Sequence, residues 1–473
     1  MKIYCESIFE NDIIDIIKLF FPNDVFRTVS NATNSDLAIM VKPAVDADVY
    51  ICRFKGQTIL KRLIKDRRWS KIELKRYSKR TVKLCVYEAL IKIERRVMPW
   101  GALTGVRPTK LARELVEAQP ETARETFRDE FLVSEEKTNL TFKTLEMQEG
   151  FIKRSSSIAD LYIHIPFCTT RCSYCSFVTG DLRANAKLVE PYIQALKKEV
   201  SHAIQLAKRH KIRLENVYVG GGTPTSISVG QLNEVLSLID FKPVEFSVEC
   251  GRPDSMSEEH MMMLKRHHVD RISINPQTFI ERTLELIERK HTISEIVNCF
   301  FLARAIGFSI NMDLIAGLPG ETVEDFVFSL NKTVELYPEN ITIHSLALKA
   351  GSKMKTSSVV EGNDVVAGML KQSTAILAEN GYNPYYLYRQ KYVAGNFENT
   401  GFCLNGEQCK YNIGMMEETK NIIACGASAI SKKVFNKENR LERCANLKDI
   451  ESYTNRIDEM IAAKEAFFED VHR

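Results

Sequence analysis

The sequence predicts an α/β protein built around a partial (β/α)6 TIM-like barrel, with an α+β domain before it and a mostly helical region after it. Three observations carry this. From about residue 158 to 350, short β-rich runs alternate with helical segments, starting with "LYIHIPF", "LVEPYIQALKKEVSHAIQLAKRH" and "NVYVGGG". That spacing is the pattern of parallel strands joined by right-handed helical crossovers. Residues that carry chemistry recur at the C-terminal ends of the runs, where such barrels gather their active sites.

Residues 1–150 form the expected N-terminal α+β domain, and its stretch from about Arg53 to Arg96 is rich in Lys and Arg. The charges interleave with apolar residues near helical spacing, which reads as the solvated face of amphipathic helices rather than a basic patch for an acidic partner. No nucleic-acid motif accompanies it. The segment "PWGALTGVRPTKLARELVE" closes this region, and "KRSSSIAD" leads into the core. Residues 158–350 supply six strand–helix units, continuing through "EFSVEC", "RISINPQ", "SINMDLIAG" and "ITIHSLAL". Residues 351–473 form a capping region over the substrate, helical at its end.

Composition bounds the function classes. The chain has 473 residues, 44% hydrophobic and 27% charged, with a net charge of +4. These values suit a soluble, cytoplasmic, globular protein of two or three domains. The N-terminus lacks a basic segment ahead of its apolar residues, so no signal peptide is expected. The most apolar run, "CFFLARAIGFSINMDLIAGLPG", is broken by Arg304 and Asp313, so no membrane span is expected. Twelve cysteines in such a chain read as reduced thiols, and a tight cluster among them reads as a metal site.

That cluster lies in "HIPFCTTRCSYCSF", where Cys168, Cys172 and Cys175 follow the first strand with C-x3-C-x2-C spacing. A structural zinc site takes four protein ligands, and none follows nearby: the position two after Cys175 is Phe177. A cubane [4Fe–4S] cluster held by three thiolates keeps one iron open for a small molecule to chelate. The alternative, three cysteines that merely pack, fits such tight spacing poorly.

"CTTRCSYC" matches the signature of the radical S-adenosylmethionine (SAM) superfamily. "YIHIPFCTTRCSYC" more narrowly resembles the oxygen-independent coproporphyrinogen III oxidase group. "GGGTPT", "VEC", "RISINPQTF", "ERKHT" and "NMDLIAGLPGE" agree in order over about residues 160–350. The N-terminal extension with "YYLYRQK" and "AGNFENTGF" resembles the HemZ-type coproporphyrinogen dehydrogenase branch.

The resemblance implies a [4Fe–4S] cluster on Cys168, Cys172 and Cys175, with one or two molecules of SAM. It places Tyr162 and Tyr174 against the cluster-bound SAM. Gly220, Gly221 and Gly222 would let the backbone approach the methionine moiety, with Gly222, Thr223 and Thr225 as SAM contacts. Glu249 would hold the SAM amino or ribose group, and Tyr162 and Glu249 are the implied catalytic residues. Gln277, Arg289, Asp313 and Ala347 would bind a second SAM. The implied reaction is oxidative decarboxylation of coproporphyrinogen III to protoporphyrinogen IX. It would run in a monomer served by a reduced donor such as flavodoxin or ferredoxin, without membrane or nucleic acid. Arg389, Lys391, His344 and Lys349 are candidate partners for the substrate propionates.

Two departures bear on the reading. The related haem chaperones carry H-N-x-x-Y-W where this chain has "YNIGMM", so Tyr411 stands for His, and Met415 and Met416 stand for Tyr-Trp. Phe177 replaces the fourth cysteine of the classical oxidase signature, which is not a cluster ligand in that family. A haem-delivery protein, with Cys409, Tyr411 or the methionines as ligands, and a radical SAM enzyme on another tetrapyrrole are the competing readings.

Overall fold

The computed structural model describes residues 1–105, 107–177, 180–348, 352–354, 363–389, 397–438 and 440–469. The chain divides into two units, residues 1–142 and 143–473. In the first, a sheet orders the strands Arg27–Thr28, Lys2–Cys5, Leu37–Lys42, Ala47–Phe54 and Gln57–Ile64. A capping box of Ser70 and Glu73 starts the long helix Lys71–Glu94. This helix buries Val82, Cys85, Val86 and Leu90 against the sheet and against Ile13, Ile16 and Ile17 of helix Glu10–Phe20. The basic stretch therefore splits, with residues 57–64 in a strand rather than a helix. Carboxylates answer much of its charge: Lys61 meets Glu88, Lys79 meets Asp12, and Arg76 and Arg80 share Glu114.

The second unit holds the barrel strands: β1 (Ser155–Ile165), β2 (Arg213–Gly221), β3 (Glu245–Gly251), β4 (Arg271–Ile274), β5 (Ser309–Ala316) and β6 (Asn340–Ser345). Each pairs in parallel with the next. The crossover helices are α1 (Ala186–Arg209), α2 (Val229–Leu236), α3 (Glu258–Arg266), α4 (Ile293–Ile306) and α5 (Val323–Leu336). Ser228, Ser257, Thr292 and Thr322 cap the starts of α2 to α5, each reciprocated by the residue three positions on. Between sheet and helices lies one core, in which Ile163, Val217, Val219, Val248, Ile272 and Ile310 face Leu196, Leu232, Leu264 and Phe300. Helices cover such strands, which explains their nearly continuous apolar runs.

The six strand–helix units stand as expected, but the C-terminal region is mixed rather than mostly helical. It contributes helices α6 (Asn363–Glu379), α7 (Lys410–Glu417), α8 (Ile450–Asn455) and α9 (Ile457–Phe468). It also contributes strands β7 (Asn383–Arg389), β8 (Glu398–Cys403), β9 (Lys420–Cys425), β10 (Ile430–Phe435) and β11 (Arg440–Ala445). The sheet order is β7-β8-β6-β5-β4-β3-β2-β1-β9-β10-β11. An open barrel has two unpaired edges, and these strands occupy both. Every residue of β8 and β9 is buried, so neither shows the alternation that marks a half-exposed strand.

Candidate functional site

The predicted residues gather at the C-terminal ends of the barrel strands. After β1, Phe167–Cys168 pairs in parallel with Gly180–Asp181, which fixes the first cysteine beside the sheet. A tight turn follows, in which the Cys175 N–H donates to the Cys172 carbonyl at 3.1 Å. The "GGGTPTS" turn after β2 buttresses this loop: the Thr223 N–H and the Ser226 hydroxyl both donate to the Phe167 carbonyl, at 2.7 and 3.0 Å. The Thr223 hydroxyl lies 3.6 Å from Cys168 Sγ. A Cβ on Gly222 would sit 2.5 Å from the Phe167 oxygen and 2.9 Å from Cys168 Sγ, so only glycine admits the loop this close. Thr225 is buried deeper, donating to the Cys250 carbonyl and facing Ser255. It joins the loops after β2 and β3.

Glu249, at the end of β3, accepts from the Tyr218 hydroxyl at 2.6 Å and from the Gly221 N–H at 3.4 Å. A Cβ on Gly220 would meet its carboxylate at 2.6 Å. Burial pushes the Glu249 carboxyl up; the Tyr218 hydrogen bond opposes this and the nearby Asp313 charge adds to it. Tyr162 shares the barrel interior. Its ring lies 6.3 Å from that of Tyr218 and 6.1 Å from that of Tyr411, all three nearly parallel, and its hydroxyl meets His164 Nδ1 at 3.2 Å. Tyr174 packs with Leu284, Ile287, Leu318 and Leu346.

The structure links the expected second-ligand residues. Gln277 adopts φ +66°, and its N–H donates to the Asp313 carbonyl at 2.9 Å, while its side-chain oxygen is buried without a partner. Arg289 donates to the Asn275 carbonyl at 2.5 Å, and the Asn275 side chain accepts from the Asp313 N–H at 3.3 Å. Asn275, which sequence reasoning missed, thus joins Arg289 to Asp313. His344 faces Asp313 at 3.6 Å. Burial pushes the Asp313 carboxyl up, but hydrogen bonds from His344, Asn311 and Thr342 bring it below the usual range. Burial pushes the His344 imidazole down, and Asp313 more than restores it. Ala347 is half-buried just past β6.

Other candidates behave differently. Arg389 is 2% exposed, and the Glu398 charge reaches it; burial lowers its guanidinium to about 9. It is not open to a propionate. Lys349 and Lys391 lie outside the described residues. Cys409 and Tyr411 are 1% and 3% exposed, and Tyr411 stacks on Tyr218 at 4.3 Å. Met415 Sδ accepts from Lys432 at 2.8 Å. Sequence reasoning missed Tyr218, which sits two residues before the glycine run, and Arg252, which follows "VECG" and faces Cys172.

The donor set fits an iron–sulfur cluster. Among the described residues no three thiol, imidazole or carboxylate groups converge to cage a single ion. A cubane asks for something else, since each iron takes its own thiolate and the ligands stand apart on one loop. Burial raises the Cys168 and Cys175 thiols, and the buried guanidinium groups of Arg252 and Arg289 oppose that rise. Among the described residues no helix is long and apolar enough to cross a membrane.

Comparison with known proteins agrees. A model of the Radical SAM superfamily matches residues 162–332. The oxygen-independent coproporphyrinogen-III oxidase-like protein HemZ of Bacillus subtilis is 38% identical over 387 residues, covering 79% of this chain and 77% of its own. The heme chaperone HemW of the same organism is 38% identical over 195 residues, 40% of this chain and half of its own. The solved structure of the coproporphyrinogen III oxidase HemN of Escherichia coli superposes with a TM-score of 0.51 at 23% identity, covering 67% of this chain and 72% of its own.

Proposed function

The chain belongs to the radical SAM superfamily, in its branch of oxygen-independent coproporphyrinogen-III oxidase-like proteins, and from this premise we propose that it decarboxylates coproporphyrinogen III oxidatively. Two propionates become vinyl groups, giving protoporphyrinogen IX. The superfamily's [4Fe–4S] cluster and SAM are its cofactors; when bound they supply a 5′-deoxyadenosyl radical that abstracts hydrogen.

The chain's own residues hold, orient and shield. Cys168, Cys172 and Cys175 would hold the cluster. Glu249 would accept hydrogen bonds from the SAM ammonium or ribose, charge-assisted and strengthened by burial. The Tyr218 hydroxyl donates to that carboxylate, opposing the upward push of burial, and would aim it. Tyr162 and the flat backbone of Gly220–Gly222 would complete the SAM cradle. Gln277, Arg289, Asp313 and Ala347 would take a second SAM, and His344 would answer a propionate. A reduced flavodoxin or ferredoxin is the proposed donor.

The observation that carries this reading over haem delivery is the fate of the "YNIGMM" helix. Tyr411 and Cys409 are buried, and the Tyr411 ring is stacked on Tyr218, which speaks against either side chain reaching out as an axial ligand. A haem chaperone needs such a ligand; an oxidase releases a metal-free tetrapyrrole and does not. Anaerobic incubation of cluster-loaded protein with SAM, reductant and coproporphyrinogen III, read by product mass, tests the proposal. Loss of two carboxyl groups per substrate is expected. Haem titration of the wild type and of Tyr411→Phe and Cys409→Ala separates the rival, because submicromolar haem affinity lost in either variant would replace the enzyme reading with haem delivery.

A further inference from the structure

We propose that Arg252 is a positioning residue that locks the cysteine loop and raises the reduction potential of the cluster it holds. Arg252 lies in "GRPDS", the turn after β3, three residues beyond Glu249. It is 3% exposed. Its guanidinium grips Asp254 through two parallel bonds, Nε to Oδ1 at 3.0 Å and Nη2 to Oδ2 at 2.9 Å. The remaining nitrogen reaches across to the cysteine loop. There Nη1 donates to the Thr170 carbonyl at 2.9 Å and lies 3.8 Å from Cys172 Sγ. Asp254 adds a further tie, accepting from the Thr169 hydroxyl at 3.4 Å. One turn thus fastens the ligand loop at positions 169, 170 and 172.

The chemistry of the side chain matters as much as its reach. Burying the Arg252 guanidinium costs desolvation, which an apolar residue of similar volume would avoid. Only the planar guanidinium fork can serve a bidentate carboxylate, a carbonyl and a sulfur together; a lysine ammonium cannot span them. A donor and a positive charge beside a ligating thiolate favour the more negative state of the cluster, because hydrogen bonds and charge at the sulfurs tune such potentials. One electron, supplied by dithionite in the experiment below, takes [4Fe–4S]2+ to [4Fe–4S]+ and adds one negative charge. Arg252 therefore stabilises the reduced form. Asp254 holds the fork but also partly neutralises it, so the two residues act on the potential with opposite sign.

The test is a dithionite titration of cluster-loaded full-length protein without SAM or substrate, followed by electron paramagnetic resonance. Iron and sulfide are measured on every sample. R252Q should shift the midpoint downward, and R252K, which keeps the charge but loses the fork, should shift it less. D254N should shift it upward. If R252Q fails to retain iron, D254N and R252K carry the test alone. A midpoint equal to wild type in D254N, or in R252Q with iron retained, overturns the proposal. Since no tetrapyrrole is present, the outcome is independent of whether coproporphyrinogen III is the substrate.

Discussion

At the scale of single residues, the site turns on a few groups whose surroundings set their charge. Glu249 is half-buried and accepts a short hydrogen bond from Tyr218, so an ammonium or ribose hydroxyl would complete its shell. Glu249→Gln should weaken SAM binding to cluster-loaded protein, because hydrogen bonds to charged groups contribute about 1.5–3 kcal/mol each. Calorimetric titration should show Kd raised by roughly tenfold or more, and an unchanged Kd would remove Glu249 from the SAM site. Replacing Cys168, Cys172 or Cys175 singly by Ala should abolish stoichiometric iron and sulfide after anaerobic reconstitution. Replacement of Cys299 or Cys425, each buried and outside that loop in sequence, should leave both in place. The three-cysteine spacing made these candidate ligands legible at this scale. Tyr218 and Arg252 were not legible, because a Tyr in a strand and an Arg after a turn are ordinary until a carboxylate and a thiol are seen beside them.

At the scale of elements, loops after the strands lean on one another. Gly222 lies where the turn after β2 touches the cysteine loop, so Gly222→Ala must push Phe167 and Cys168 away. Cluster content per chain should fall while secondary structure, read by circular dichroism, stays near wild type. A fully loaded G222A protein would show that the contact is not needed. Glu321, between β5 and α5, offers a pH-dependent test. It is 1% exposed, accepts from the Thr278 hydroxyl at 2.6 Å, and burial raises its carboxyl from 4.5 to about 7. A group whose folded pKa is raised contributes stability that is present below 4.5 and is lost as pH rises through about 7. Glu321→Gln should therefore gain on the wild type as pH rises from about 5 to about 8, by at most on the order of 3 kcal/mol. Thermal melts at both pH values measure this; a gap that does not widen with pH would contradict it.

At the scale of the whole second unit, one buried ion pair joins distant parts of the chain. Glu199 on α1 accepts from Lys464 on α9 at 2.5 Å, from Tyr453 and the Gly426 N–H at 2.6 Å, and from Asn446 at 2.8 Å. Both charges are essentially without exposure. Removing one partner strands the other, so Lys464→Ala should cost about 3–5 kcal/mol in urea unfolding. The double variant Glu199→Gln with Lys464→Met should cost less than Lys464→Ala alone. If the double variant is instead the less stable, the pair stabilises by more than its own compensation. Nothing in the sequence announces this pair, since its members stand 265 positions apart.

The sequence by itself determined the barrel and its cofactors. Parallel strands covered by helices leave a period that any reader of the chain can see, and a three-thiol loop after the first strand has few other uses. Glycine at 220–222 was legible for the same reason, because close backbone approach excludes every larger residue. Only the tertiary structure decided the rest. The C-terminal region had to be folded before its fully buried runs could be known as strands on both edges of the sheet. Arg389 looked like a free cation until it was found buried beside Glu398. The stacking of Tyr411 on Tyr218 likewise exists only in the folded chain. Local pattern specifies the backbone period and the ligands that lie close in the chain. Which buried charge meets which partner depends on contacts between residues far apart in sequence, and those exist only once the chain has closed on itself.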